Sequence, residues 1–265
     1  MKTIFITGST DGIGKLTALK LAKLGHQMLL HGRDVQKLAD TISAIKNQTG
    51  NAKISGFVSD LSDFSSIEKM VIDISDKFTS MDVMINNAGI FTSRIEKNQD
   101  NLDIRFAVNY LAPYQLTEGL LPLLKNSNSP RIINLSSAAQ SSVSMDALAG
   151  REQISSNAAY AQSKLALTMW SFALAKANPK IVTIAVNPGS LLNTKMALEA
   201  YGQHWSSADK GANILYDLAI SSQYAESNGT YFDNDSGSFS PAHNDAYNEK
   251  KIDQLIAETN KILKK

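Results

Sequence analysis

Six short apolar runs punctuate the chain: "TIFIT" at 3–7, "QMLLHG" at 27–32, "KISGFV" at 53–58, "DVMIN" at 82–86, "RIINLS" at 131–136 and "IVTIAVN" at 181–187. Each is continuous rather than alternating, the pattern of a strand covered on both faces. Between them the apolar residues follow helical spacing, at Leu16, Leu19 and Leu24, at Leu38, Ile42 and Ile45, and at Ile67, Met70, Val71, Ile74 and Phe78. Strand and helix therefore alternate. That order predicts an α/β fold, a doubly wound parallel sheet with right-handed crossovers and helices on both faces, in three αβα layers. No Pro/Gly-rich linker, repeat or low-complexity tract interrupts it, so residues 1–265 read as a single domain. Such a sheet binds its ligand at the carboxyl ends of the strands, where their order reverses. The segments just after each strand are the place to look for chemistry.

After the first strand, "TGSTDGIG" at 7–14 spaces Gly8, Gly12 and Gly14 as G-x-x-x-G-x-G. Glycines where a strand turns into a helix give a tight turn, let backbone approach a ligand and aim a helix N-terminus at negative charge. The pyrophosphate of a dinucleotide suits this arrangement, with Ser9, Asp11 and Ile13 completing the contact surface; a ligand-free βα turn is the plainer alternative. A phosphate-binding loop of the G-x-x-x-x-G-K-[ST] type fits poorly, because five residues separate Gly8 from Gly14 and Leu16 stands where a hydroxyl should hold magnesium. Further on, "HGRD" places Gly32 and Arg33 at the end of the second strand, about 20 residues past the glycines, where dinucleotide folds meet the adenosine ribose. An acidic residue there would accept from the 2′-hydroxyl of NAD, whereas arginine offers a bidentate grip on the 2′-phosphate of NADP. NADP(H) is expected over NAD(H), unless Asp34 leaves Arg33 a solvated surface residue.

Composition narrows the partners. Lys+Arg of 26 against Asp+Glu of 25 leaves a formal charge of +1, so no global field draws the chain to nucleic acid or an anionic membrane. A small molecule is the default partner. The absence of cysteine excludes disulfides and thiolate chemistry and fits a cytoplasmic setting. The opening "MKTIFITGST" lacks the pattern of a signal peptide, and apolar stretches such as "GLLPLLK" at 119–125 fall far short of the ~20 residues of a membrane span. "YFDNDSG" at 231–237 has the look of a calcium loop, but the twelfth position from Asp233 is Asn244 rather than glutamate. The four histidines show no metal spacing. No metal is expected, and the 231–237 segment reads as turn and surface.

Seven stretches, in order, resemble the short-chain dehydrogenase/reductase family: "TGSTDGIG", "SDL" at 59–61, "NNAGI" at 86–90, "VNYL" at 108–111, "NLSS" at 134–137, "YAQSK" at 160–164 and "NPG" at 187–189. The resemblance implies a Rossmann-like fold, a nicotinamide dinucleotide and interconversion of a carbonyl and an alcohol. It casts Tyr160 as proton donor, Ser137 as the hydrogen-bond partner of the substrate oxygen, Lys164 as the cation that both tunes Tyr160 and holds the nicotinamide ribose, with Tyr160 and Lys164 thereby among the cofactor contacts, and Asn109 as support for a water-linked proton path. The first pair makes chemical sense unaided. Four residues apart in a helical stretch, Tyr160 and Lys164 share one face, and an ammonium beside a phenol stabilises its phenolate. Strand alternation sets Ser136 and Ser137 on opposite faces, and the family pattern favours Ser137.

Further cofactor contacts implied by the resemblance are Asp60 and Leu61 beside adenine, Asn87, Ala88 and Gly89 along the ribose, and Pro188 and Gly189 near the nicotinamide. Thr194 is the candidate for the carboxamide, one residue further from "PG" than the family usually places that hydroxyl. Between Ser137 and Tyr160 lies "SVSMDALAGREQIS", longer than in compact members and similar to the retinol-dehydrogenase-like and protochlorophyllide-reductase-like branches. Around 190–210 a substrate flap is expected. Its segment "SLLNTKMALEAYGQHW" at 190–205 is rich in Leu, Met, Tyr and Trp, which suits a fairly apolar aldehyde or ketone, with an amphipathic helix packed on the body as the alternative. From another functional class comes an NADP-binding redox sensor without turnover, which typically lacks the tyrosine. The family often forms homodimers or homotetramers.

Overall fold

In the computed structural model of the chain, residues 1–264 are described. The six expected strands form within a residue of their expected bounds: β1 (Thr3–Ile6), β2 (Gln27–Gly32), β3 (Ile54–Val58), β4 (Val83–Asn86), β5 (Arg131–Leu135) and β6 (Val182–Asn187). Two more follow, β7 (Thr230–Asp233) and β8 (Ser238–Phe239). The sheet order is β3-β2-β1-β4-β5-β6-β7-β8, parallel throughout except for the antiparallel β8. From β1 the chain winds outward to β3 and then returns to the other side of β1 with β4. The crevice lies between β1 and β4.

Pleating explains why these strands are apolar on both faces. Phe5, Leu29, Met84 and Ile132 point into one core with Ile67, Met70, Leu120, Leu165 and Trp170. Their neighbours Ile4, Ile6, Met28, Leu30, Val83 and Ile85 point into the other, with Ala18, Leu21, Leu215 and Leu218. The first core is covered by α3 (Phe64–Lys77), α5 (Ala112–Lys125) and α7 (Ser156–Ala177), the second by α1 (Gly12–Lys23), α2 (Val35–Thr49) and α9 (Ala208–Ile220). Burying each Leu or Ile side chain contributes about 1.5–3 kcal/mol. Short polar residues stop the strands and start the helices: the side chains of Asp11, Asp34, Asp63 and Ser155 accept from backbone N–H groups in the first turns of α1, α2, α3 and α7.

β7 corrects the reading of 231–237 as turn and surface. Tyr231 and Phe232 are buried beside β6, and only the residues after Asp233 turn. A strand with two buried residues between Gly229 and the polar "NDSG" is too short to show a hydrophobic period. The long segment before Tyr160 holds a single turn, α6 (Met145–Leu148), and crosses to the C-terminal helix α10 (Glu249–Ile262) through an Arg151–Glu258 ion pair at 2.8 Å.

Candidate active site

The glycine turn is locked from beneath. Gly8 and Gly12 have φ of +63° and +49°, values that side-chain-bearing residues rarely adopt. A Cβ on Gly14 would stand 2.5 Å from the Gly8 carbonyl oxygen and collide with the Asn87 amide. Thr7 Oγ1 accepts from the N–H groups of Asn87 and Ala88, at 3.0 Å each, while Asn87 Nδ2 donates to the carbonyls of Thr7 and Gly8. The Asn87 side chain thus holds the turn, and Ala88 and Gly89 follow it half-buried.

His31 on β2 joins the same lock. Its Nδ1 accepts from Gly8 N–H at 3.0 Å and its Nε2 meets the Ser59 carbonyl at 3.0 Å, which fixes the tautomer with the proton on Nε2. Burial holds this imidazole below the usual histidine range. Ser9 is fully buried, its hydroxyl donating to the His31 carbonyl and accepting from the His31 N–H. It shapes the turn from inside.

At the outer end of β2 the residues are exposed. Asp34 is committed to capping α2, accepting from Lys37 N–H at 2.7 Å. Asp11 accepts from Gly12 N–H and pairs with Lys37 Nζ at 2.6 Å, an interaction that holds its carboxyl below the usual range. Among the described residues Arg33 has no such partner. Asp60 accepts from Ser62, and Leu61 is buried.

Side chains from three elements converge on Gly89. A Cβ there would lie 3.3 Å from Asn109 Oδ1, 3.4 Å from Lys164 Nζ and 3.8 Å from Met196 Cε, so only a bare backbone leaves this space open. Asn109 lies in a π-helical turn, Ala107–Leu111, between the short α4 (Ile104–Phe106) and α5. Its amide accepts from Ile90 N–H at 2.8 Å and donates to the Ile90 carbonyl and to Ser163 Oγ, at 3.0 Å each. Both ends of the side chain are therefore engaged. Lys164 is buried on α7. Its Nζ donates to the Leu135 carbonyl at 2.8 Å and lies 5.6 Å from the Tyr160 ring centre. Burial lowers its pKa to about 8. The Tyr160 ring packs on Phe91 with centroids 4.7 Å apart.

The two serines after β5 separate. Ser136 is buried against α7, bonded to the Lys164 carbonyl and Thr168 Oγ1. Ser137 is half-buried, and its Oγ accepts from Ala139 N–H at 3.1 Å. Its carbonyl accepts from Tyr231 Oη at 3.0 Å and Gln140 Nε2 at 2.9 Å. Beside it opens a cavity of about 300 Å³ lined by Ala138, Gln140, Tyr231, Asp233 and residues 241–243.

Beyond Pro188 and Gly189 (φ +120°), Asp235 receives three hydrogen bonds, from Ser190 N–H, Ser190 Oγ and Asn187 Nδ2. Burial alone would raise its pKa, but these donors and Lys210 bring it below the usual range. The chain then forms a loop closed at its base by Leu191 and Ser206, whose carbonyls accept from Trp205 and Asn193. It carries α8 (Lys195–Tyr201), capped by Thr194, whose hydroxyl accepts from Ala197 N–H at 3.3 Å. Leu192 and Ala197 are buried, whereas Leu198 and Trp205 are exposed.

A doubly wound sheet with this glycine turn at its switch point, and a tyrosine and a buried lysine one helical turn apart beyond the end of β5, has the architecture of a dinucleotide-binding fold. Residues 2–204 match the model of the short chain dehydrogenase family, and the chain belongs to that family of NAD(P)-dependent dehydrogenases and reductases. It is 36% identical over 203 residues to polyprenol dehydrogenase from Homo sapiens, covering 73% of this chain and 61% of that protein. With retinol dehydrogenase 13 from Homo sapiens it shares 31% over 252 residues, 88% of this chain and 76% of the relative. Among solved structures, a protein from Mycobacterium paratuberculosis superposes with a TM-score of 0.80 at 24% identity, covering 100% of this chain and 94% of that one. A short chain dehydrogenase from Shigella flexneri 2a, solved with NADP, gives 0.71 at 26%, covering 88% and 97%. Among the described residues no helix is long and apolar enough to cross a membrane, and no group of side chains has the arrangement of a metal site.

Sequence reasoning missed His31, Asp235 and Tyr231. A histidine within "QMLLHG" reads as filler, and Asp235 and Tyr231 matter only through a strand that was not foreseen. The one available signal was Asn187, a polar residue ending an apolar strand.

Proposed function

We propose that the chain reduces an apolar aldehyde or ketone, and oxidises the matching alcohol, with NADP(H) and with Tyr160 as general acid and base. The observation that carries this reading is the buried Lys164 Nζ, 5.6 Å from the centre of the Tyr160 ring at the open end of β5. The dinucleotide fits the residues present: left-handed Gly8 and Gly12, the start of α1, the half-buried backbone at Ala88 and Gly89, and an unengaged Arg33 to take a 2′-phosphate. When bound, its reduced nicotinamide supplies a hydride to the carbonyl carbon.

Tyr160 then gives its phenolic proton to the carbonyl oxygen, and Ser137 hydrogen-bonds that oxygen. Lys164, in its charged form, favours the phenolate left on Tyr160. Asn109 holds the Ile90 peptide and Ser163 around them. Phe91 and Met196 give the site an apolar wall. The relatives named for retinol and polyprenol support a long apolar alcohol or its aldehyde as the substrate class. The same reading takes residues 1–265 as one unit, and the lack of cysteine supports a cytoplasmic setting.

The test is NADPH oxidation over a panel of apolar aldehydes and ketones by the native protein and Tyr160→Phe. Native turnover that falls by about 10³-fold or more in the variant, with NADPH affinity retained, is the expected result. Comparable turnover in Tyr160→Phe would remove Tyr160 from its role; tight NADPH binding by an inactive native protein would favour a sensor.

A further inference from the structure

Arg105 is 1% exposed, and its guanidinium connects parts of the chain that are distant in sequence. Nε donates to the Phe91 carbonyl at 2.9 Å. Nη1 reaches Glu96 at 2.7 Å and Asp103 at 3.1 Å, and Nη2 reaches Ser156 Oγ at 2.8 Å and Glu96 at 3.3 Å. Glu96 and Asp103 stabilise the charge against the cost of burial, so Arg105 stays protonated and Glu96 is held below its usual range.

Two of these partners adjoin Tyr160. Phe91 is the residue whose ring lies on Tyr160, and Ser156 begins α7 one turn before Tyr160. The neighbouring peptide at Ile90 is already gripped by Asn109. One side chain therefore ties the loop after β4 and the start of the tyrosine's helix to a common point.

We propose that Arg105 is a positioning residue for Tyr160: it holds the Phe91 ring against the phenol and keeps the phenol pointed into the site. The proposal rests on Tyr160 being the acid. A planar guanidinium suits this task because it satisfies divergent acceptors at fixed angles; a lysine ammonium retains the charge without the fork.

The experiment is a double-mutant cycle of Arg105→Lys with Phe91→Ala, with kcat, KM for aldehyde and NADPH affinity measured on each, and Tyr160→Phe run alongside. Arg105→Lys and Phe91→Ala are each expected to lower kcat at least tenfold with NADPH affinity unchanged, and the double variant to lose no more than the worse single one. Losses that multiply, or an Arg105→Lys kcat within twofold of native, would overturn the proposal. If Arg105→Lys does not fold, Ser156→Ala carries the same cycle, removing one fork contact at a half-buried site. Retained turnover in Tyr160→Phe would instead sink the reading of Tyr160, a separate outcome.

Discussion

Lys164 Nζ donates at 2.8 Å to the carbonyl of Leu135 while lying 5.6 Å from the centre of the Tyr160 ring. One buried ammonium thus couples the end of β5 to a side chain one helical turn away. The carbonyl fixes the position of the cation, and the position of the cation sets what the phenol feels.

The same burial has a measurable signature. Lys164 is lowered from 10.5 to about 8 in the folded chain, so between about pH 8 and 10.5 the unfolded chain binds more protons than the folded one, and stability rises with pH. Below pH 8 the folded state carries the full cost, on the order of 3 kcal/mol. Urea unfolding of the native protein and Lys164→Met across this window should show the native protein gaining that amount relative to the variant. A difference that stays flat with pH would contradict the burial assignment.

Gly14→Ala places a methyl group against backbone, 2.5 Å from the Gly8 carbonyl oxygen. Neither β1 nor the Asn87 turn can give way without breaking the lock they share. NADPH affinity should weaken tenfold or more, about 1.4 kcal/mol or above, with a lower melting temperature. Unchanged affinity in a fluorescence titration would show that the turn is not the cofactor's seat.

Arg33→Ala addresses cofactor choice. A charge-assisted hydrogen bond contributes about 1.5–3 kcal/mol, so kcat/KM for NADPH should fall roughly 10- to 100-fold while that for NADH stays level. Equal effects on both cofactors would mean that Arg33 does not meet a 2′-phosphate.

What was legible in the sequence is what depends on short-range pattern. The apolar runs located β1 to β6 because strands buried on both faces cannot hide their composition, and the glycines of 7–14 mark backbone that tolerates no side chain. Tyr231 was unreadable because two buried residues make no period. Arg105 was unreadable for another reason: its partners lie between 2 and 51 positions away, and nothing local distinguishes a buried guanidinium from a solvated one. His31 shows the same limit, since its role exists only once β1 and β2 stand side by side.

The wide turn at Ala107–Leu111, closed by Ala112 N–H to the Ala107 carbonyl, carries an odd residue in an otherwise regular run from Ile104 to Lys125. Each residue advances an α-helix by about 100°, so a chain one position shorter here would wind more regularly and sweep Asn109 away from Ile90. Such a shortening would also turn the buried Arg105 and Phe106 out of their places, so its cost falls on folding and on the site together. At this point the chain keeps an irregularity that secondary-structure energetics alone would discard.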